Sequence, residues 1–134
     1  MAQKYSYVGR GNQRTIVVTS KEFNIDNGAA TTDDDVLCNL PFECQVVSVR
    51  AIYTVATDSS GSASANFKLG TSAGGDSIVA ATALEISKAV GGTTTATVVA
   101  DRLAASTTLF CRHTGVAATE AGNYRVQVTL LPKP

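Results

Sequence analysis

The sequence predicts an all-β domain, and three observations carry that prediction. Alanine, threonine, valine, glycine and serine dominate and tryptophan is absent, a composition that suits thin strands and small-residue turns better than long helices. Apolar and polar residues alternate with a period of two, most clearly in NYRVQVTLL, where Tyr124, Val126, Val128 and Leu130 share one face. Turn signals recur every ~8–12 residues between about eight β-branched runs, the spacing of a sandwich or barrel. At 134 residues the chain can build one core. The simplest architecture of that size is an eight-stranded jelly-roll β-sandwich, over 15–134, preceded by an N-terminal arm, 1–14.

Each element has a local reason. TIVVTSKEFNI begins as a basic segment ends and reads as the first strand, with Asn27 and Gly28 marking the turn after it. Val36 to Leu40 is a short strand that stops at Pro41, whose missing amide hydrogen cannot serve a central ladder, so two strands meet there at a corner. CQVVSVRAIYTVA is apolar on both faces: Val47, Val49, Ala51, Tyr53 and Val55 oppose Val46, Ser48, Arg50, Ile52 and Thr54. This predicts a central strand covered, at least in part, on both sides. After the low-complexity loop TDSSGSASA, NFKLGTS is a strand with Phe67 and Leu69 on one face. GGDSIVAATALEISKAVGG predicts a strand at Ile78 and Val79 followed by a helical turn through Ala83, Leu84 and Ile86. TTTATVV and TTLFCRH complete the set before the C-terminal strand.

Charge and cysteine usage bound the function. Eleven basic and eleven acidic residues cancel, so no bulk field draws in nucleic acid or an anionic membrane. The N-terminus has no signal-like apolar run and no segment approaches the ~20 apolar residues of a membrane span, so a soluble chain made inside a cell is expected. Three cysteines, Cys38, Cys44 and Cys111, form an odd set for which reduced thiols are the default, although a Cys38–Cys44 bond across the corner stays open.

LFCRHTG holds Cys111 two residues from His113, the chain's one histidine, and residues two apart on a strand share a face. A zinc set of Cys38, Cys44, Cys111 and His113 has the right ligand types but poor spacing, and buried cysteines are more simply small hydrophobes. No G-x-S-x-G elbow accompanies the histidine, and Asp33, Asp34 and Asp35 lack calcium-loop spacing, which makes them a solvated loop. The glycine-rich GGDS and VGG are turns. No enzyme activity, cofactor or small-molecule substrate is therefore expected. The basic arm, with Lys4, Tyr5, Tyr7, Arg10 and Arg14, contrasts with the acidic stretch from Glu22 to Glu43, so the arm of one copy could meet the acids of another.

VLCNLPFECQVVSVRAIYTVA, LGTSAGGDSIVAA and the closing TTLFCRHTGVAATEAGNYRVQVTLLP together resemble the small jelly-roll structural proteins of tailed bacteriophages, in particular capsid decoration (cement) and head-fibre proteins. The likeness spans residues 15 to 132 and rests on strand order, small-residue composition and Thr114, Gly115, Gly122, Tyr124, Val126 and Val128. It implies a homotrimer on the outer surface of a phage head, bound to the major capsid protein and reinforcing the shell, made in the host cytoplasm and carried in the virion. The family supplies no catalytic residues. Interface candidates come from this sequence only: Lys4, Tyr5, Tyr7, Arg10 and Arg14 of the arm, Arg50 on the central strand, and Arg125 and Gln127 on the last. The alternative is a head-fibre or tail-associated module binding a host-surface glycan through loops such as TDSSGSASA or GVAATEAG.

Overall fold

The computed structural model describes residues 5–10, 13–25, 32–57, 65–115 and 121–133. Along them run β1 (Tyr5–Arg10), β2 (Gln13–Thr19), β3 (Phe23–Asn24), β4 (Thr32–Asn39), β5 (Cys44–Val55), β6 (Asn66–Gly70), β7 (Val79–Ala83), β8 (Thr93–Thr95), β9 (Arg102–Leu103), β10 (Thr108–Thr114) and β11 (Asn123–Pro132). One antiparallel sheet has the order β1-β2-β11-β5-β8, with β3 also on β11 and β9 also on β5; the other has the order β4-β10-β6-β7. Setting aside β1, β3 and β9, the two sheets are β2-β11-β5-β8 and β4-β10-β6-β7. This is the eight-stranded double Greek key of a jelly roll. The core lies between the sheets and is built from the inward residues of every long strand, among them Val18, Leu37, Val49, Tyr53, Phe67, Leu109, Tyr124 and Val126.

Pro41 stands where expected, in the turn that carries the chain from β4 in one sheet to β5 in the other. The strand after it departs from the two-sided reading. Cys44 and Val46 point inward, and so do Val49, Ala51 and Tyr53, while Val47 is 53% exposed. Thr129 and Leu130 are consecutive on β11 but face Ser48 and Val46 on β5, so Val47 is an extra residue, a β-bulge. The bulge shifts the phase of the alternation. Apolar residues that occupy both faces of a regular strand thus all reach one core.

The first strand is also divided. Ser20 is buried; its amide donates to the Val126 carbonyl and its hydroxyl accepts from the Val126 amide, each at 2.8 Å. The hydroxyl takes a ladder position that backbone would otherwise fill, and the chain turns out through Lys21 and Glu22 before re-entering as β3. Upstream, β1 pairs with β2 from Tyr5 opposite Val18 to Arg10 opposite Gln13. Backbone assigned to the arm at 5–10 and 13–14 therefore runs in the sheet. Residues 1–4, 11 and 12 lie outside the described residues, as do most of both loops weighed for glycan binding and the turn at Asn27 and Gly28.

No helical turn follows β7. The segment 84–88 lies against the sheet edge because its polar groups are taken there: the Leu84 amide donates to the Ala65 carbonyl, and the Lys88 amide to the Thr57 hydroxyl. A directed ring holds its centre. The Glu85 amide donates to Tyr53 Oη (2.9 Å), Tyr53 donates to Thr94 Oγ1 (2.6 Å), and Thr94 donates to Glu85 Oε2 (3.0 Å). Ser87 takes a left-handed conformation, φ 60°, which ends any helical continuation. TTTATVV forms a strand only over β8; beyond it the Ala96 amide donates to the Val49 carbonyl and the Val99 amide to the Ile78 carbonyl as the chain leaves the sheet.

Gly70 closes β6 against the turn that follows. A Cβ there would lie 2.6 Å from the Gly75 carbonyl carbon and 2.7 Å from its oxygen, both backbone. Gly70→Ala is expected to destabilise the fold by about 1–3 kcal/mol, since the turn must be displaced to admit one methyl. A urea midpoint equal to that of the parent protein would show that the turn yields freely.

Candidate functional site

Leu109, Cys111 and His113 do share a face of β10, and that face is the core. Cys111 is 1% exposed and His113 is fully buried. His113 Nδ1 meets the Tyr124 hydroxyl at 2.5 Å, a bond that links the two sheets through the interior. His113 Nε2 is buried without a hydrogen-bond partner. Phe23 stacks on the imidazole at a centroid distance of 5.8 Å, and Tyr124 packs against Phe23, Tyr53, Phe67 and His113 at 5.4–6.5 Å. Burial lowers the His113 pKa to about 4, partly offset by the charge of Asp33. It also pushes the Tyr124 hydroxyl well above its usual value, assisted by Cys111, Tyr53 and Asp33. Both rings are neutral at pH 7, and neither is open to a substrate. Cys38, Cys44 and Cys111 are buried and none is in a disulfide, and no cluster of metal-ligating side chains occurs among the described residues.

The three aspartates are not a solvated loop. They lie on β4 opposite β10, with His113 facing Asp33, Arg112 facing Asp34 and Cys111 facing Asp35. Arg112 binds Asp34 through Nε (2.6 Å) and Nη2 (2.8 Å), which holds the Asp34 carboxyl below its ordinary pKa. Asp33 and Asp35 leave β4 on the side of the core, where Lys21 meets them: Nζ pairs with Asp33 at 2.5 Å and the backbone amide donates to Asp35 at 2.8 Å. Inward carboxylates on an edge strand oppose its pairing with a foreign strand. With cations of the same chain already on Asp33 and Asp34, the arm-to-acid contact between copies loses its simplest basis.

The outward face of the seven-stranded sheet carries the remaining candidates. Arg50 and Gln127 are register partners, and the Arg50 guanidinium donates to Gln127 Oε1 from Nε (3.1 Å) and Nη2 (2.8 Å). Arg125, two residues before Gln127 on the same strand, donates to the Ser20 carbonyl. Glu22 flanks them, its carboxylate accepting from Thr54 and Asn123, which lowers its pKa. Arg50, Arg125 and Gln127 are thus brought onto one surface. Tyr5, Tyr7, Arg10 and Arg14 belong to β1 and β2 of the same sheet by their backbone, with side chains outside the described residues; Lys4 lies outside them altogether. Sequence reasoning missed Lys21, Ser20 and the Tyr53–Thr94–Glu85 ring. Only Tyr124 left a signal, as an inward tyrosine whose hydroxyl needs a partner. An apolar cavity of about 50 Å³ beside Pro41, lined by Ile16, Val18, Cys38, Leu40, Phe42 and Leu130, is far below the size of a small-molecule site.

No family model and no curated protein matches the chain. Chains of two phage capsids are similar to it in fold. One comes from the capsid asymmetric unit of cyanophage Pam1: it is 22% identical, the alignment covers 96% of this chain and 92% of that one, and the TM-score is 0.60. The other comes from the capsid of Ralstonia phage GP4, at 16% identity, 88% and 85% coverage and a TM-score of 0.50. At these identities the likeness is one of fold, and it runs nearly end to end. Both neighbours belong to phage capsid structures, the class that the sequence resembles.

Proposed function

We propose that this protein is a structural component of a phage virion, a decoration protein that binds the major capsid protein on the outer surface of the head as a homotrimer and cements the shell. The near end-to-end fold likeness to chains of two phage capsids carries this reading. The character of the surface agrees with it: Cys111 and His113 are sealed in the core, while Arg50, Arg125 and Gln127 form a polar face on a rigid sheet. Such a face contributes area and many modest contacts, which is what resistance to dissociation requires. β1 and β2 set the backbone of Tyr5, Tyr7, Arg10 and Arg14 beside that face in the same sheet, and these residues, with Lys4, are the further interface candidates. The role calls for no catalysis, cofactor, nucleic acid or membrane.

Light scattering of the purified protein should give three times the 13.8 kDa chain mass, and the protein should pellet saturably with phage heads that lack it. Arg50→Glu combined with Arg125→Glu is expected to weaken that binding at least tenfold, through lost charge complementarity, with little change in thermal unfolding because both side chains are exposed. A monomer that ignores heads and binds purified host envelope would replace cementing with the glycan-binding alternative.

A further inference from the structure

The surroundings of His113 form an arrangement that capsid binding does not use. Asp33 on β4 is directly opposite His113 on β10, so the two side chains leave the same face as immediate neighbours. The Asp33 carboxylate is held by Lys21 Nζ, and that same Nζ sits 5.7 Å from the centroid of the Phe23 ring that stacks on His113. The short corner between β2 and β3 is thus a plug over the imidazole, fastened by Asp33. The other groups around His113 are Asp35 on β4, bound to the Lys21 amide; Cys111 on its own strand; Tyr124 on β11; and the apolar Phe67 opposite it on β6. Tyr53 on β5 reaches this cluster through its ring contact with Tyr124.

We propose that acidification makes Asp33 exchange partners, from Lys21 to protonated His113, and so releases the Lys21–Phe23 corner while the two sheets stay paired. A proton taken up from solvent gives the imidazole N–H groups on both nitrogens. Nδ1 keeps Tyr124, but Nε2 faces no acceptor, and an unpaired buried charge is costly. Asp33 is the nearby carboxylate whose charge favours the cation. Turning toward the ring, it frees Lys21 to solvent and displaces the Phe23 stack.

The sign follows from linkage. In the closed state the histidine pKa is about 4, below its ordinary 6.5. The stabilisation of the closed corner is therefore complete above pH 6.5 and is lost as pH falls toward 4, shifting the closed-to-open equilibrium by about two orders of magnitude. The carboxyls of Glu22, Asp34 and Glu85 are held below their ordinary values by the groups that donate to them, and none of the three faces His113.

The test follows hydrogen-exchange protection at the corner from pH 7 to 4.5. The reporters are the Ser20 and Ile25 amides, which donate to the carbonyls of Val126 and Gly122, with the β11 amides of Gln127 to Leu130, paired with β2 and β5, as internal reference. Corner protection should fall at least tenfold while the reference amides hold, and His113→Gln should abolish the pH dependence. Unchanged corner protection, or the same loss in His113→Gln, would overturn the proposal. Should that variant not fold, the ring resonances of His113 in the native protein decide: they must titrate with the midpoint at which the corner opens. Titration with a closed corner, or opening without titration, sinks it. Neither result depends on whether heads are bound.

Discussion

Tyr124→Ala is expected to lower the unfolding free energy by about 3–5 kcal/mol, the cost of removing a large aromatic ring from a core that cannot fully close over the space. Tyr124 is fully buried and meets four rings, those of Phe23, Tyr53, Phe67 and His113, so one truncation loosens both sheets. Tyr124→Phe keeps the ring and deletes only the hydroxyl, leaving His113 Nδ1 as unpartnered as Nε2. It should cost about 1–3 kcal/mol, the penalty of one abandoned buried polar group. Urea unfolding of the two variants separates ring from hydroxyl. An alanine variant within about 1 kcal/mol of the parent would mean that the cluster collapses without loss and that Tyr124 is not the centre of the core.

The second large effect is a contrast between two deletions in β5. Removing Arg50 takes one residue from the regular half of the strand, so either Ala51 and Tyr53 turn outward or the bulge is used up and Val49 gives its inward place to Ser48. Val49, Ala51 and Tyr53 are all fully buried, and the milder outcome already exposes a core valine and buries a serine hydroxyl, so this variant is expected to lose about 3–5 kcal/mol. Removing Val47 takes out the bulge residue instead. Val46 stays inward, Ser48 outward and Val49 inward, so both halves keep their faces. The cost is the local bend that lets β5 pair with β9 at Cys44 and Gln45 and with β8 from Arg50 to Ile52. That variant should fold, with stability reduced by about 1–3 kcal/mol. Thermal unfolding of both proteins checks the pair; equal behaviour would mean that the bulge does not set the phase of the strand.

The resemblance to phage structural proteins and the jelly-roll architecture are legible in the sequence. Both rest on signals carried by neighbouring residues: alternation in β10 and β11, β-branched runs between turns, and a proline where the chain changes sheets. The burial of His113 was half legible, since its face was clear and the direction of that face was not.

The sequence by itself determined the β class, the longer strands and, within each regular stretch, which side chains share a face, because a period of two is written in adjacent positions. Only the tertiary structure decided where that period slips. Val47 bulges because Leu130 and Thr129 are already in register with Val46 and Ser48, and Ser20 breaks a strand because Val126, 106 residues away, takes its hydroxyl. Similar distances hid the partners of Asp34 and Arg50: Arg112 is 78 residues from Asp34, and Gln127 is 77 from Arg50. Pairing across such separations depends on which strands lie side by side, and strand order is a property of the whole chain collapsing around one core. No local window contains it.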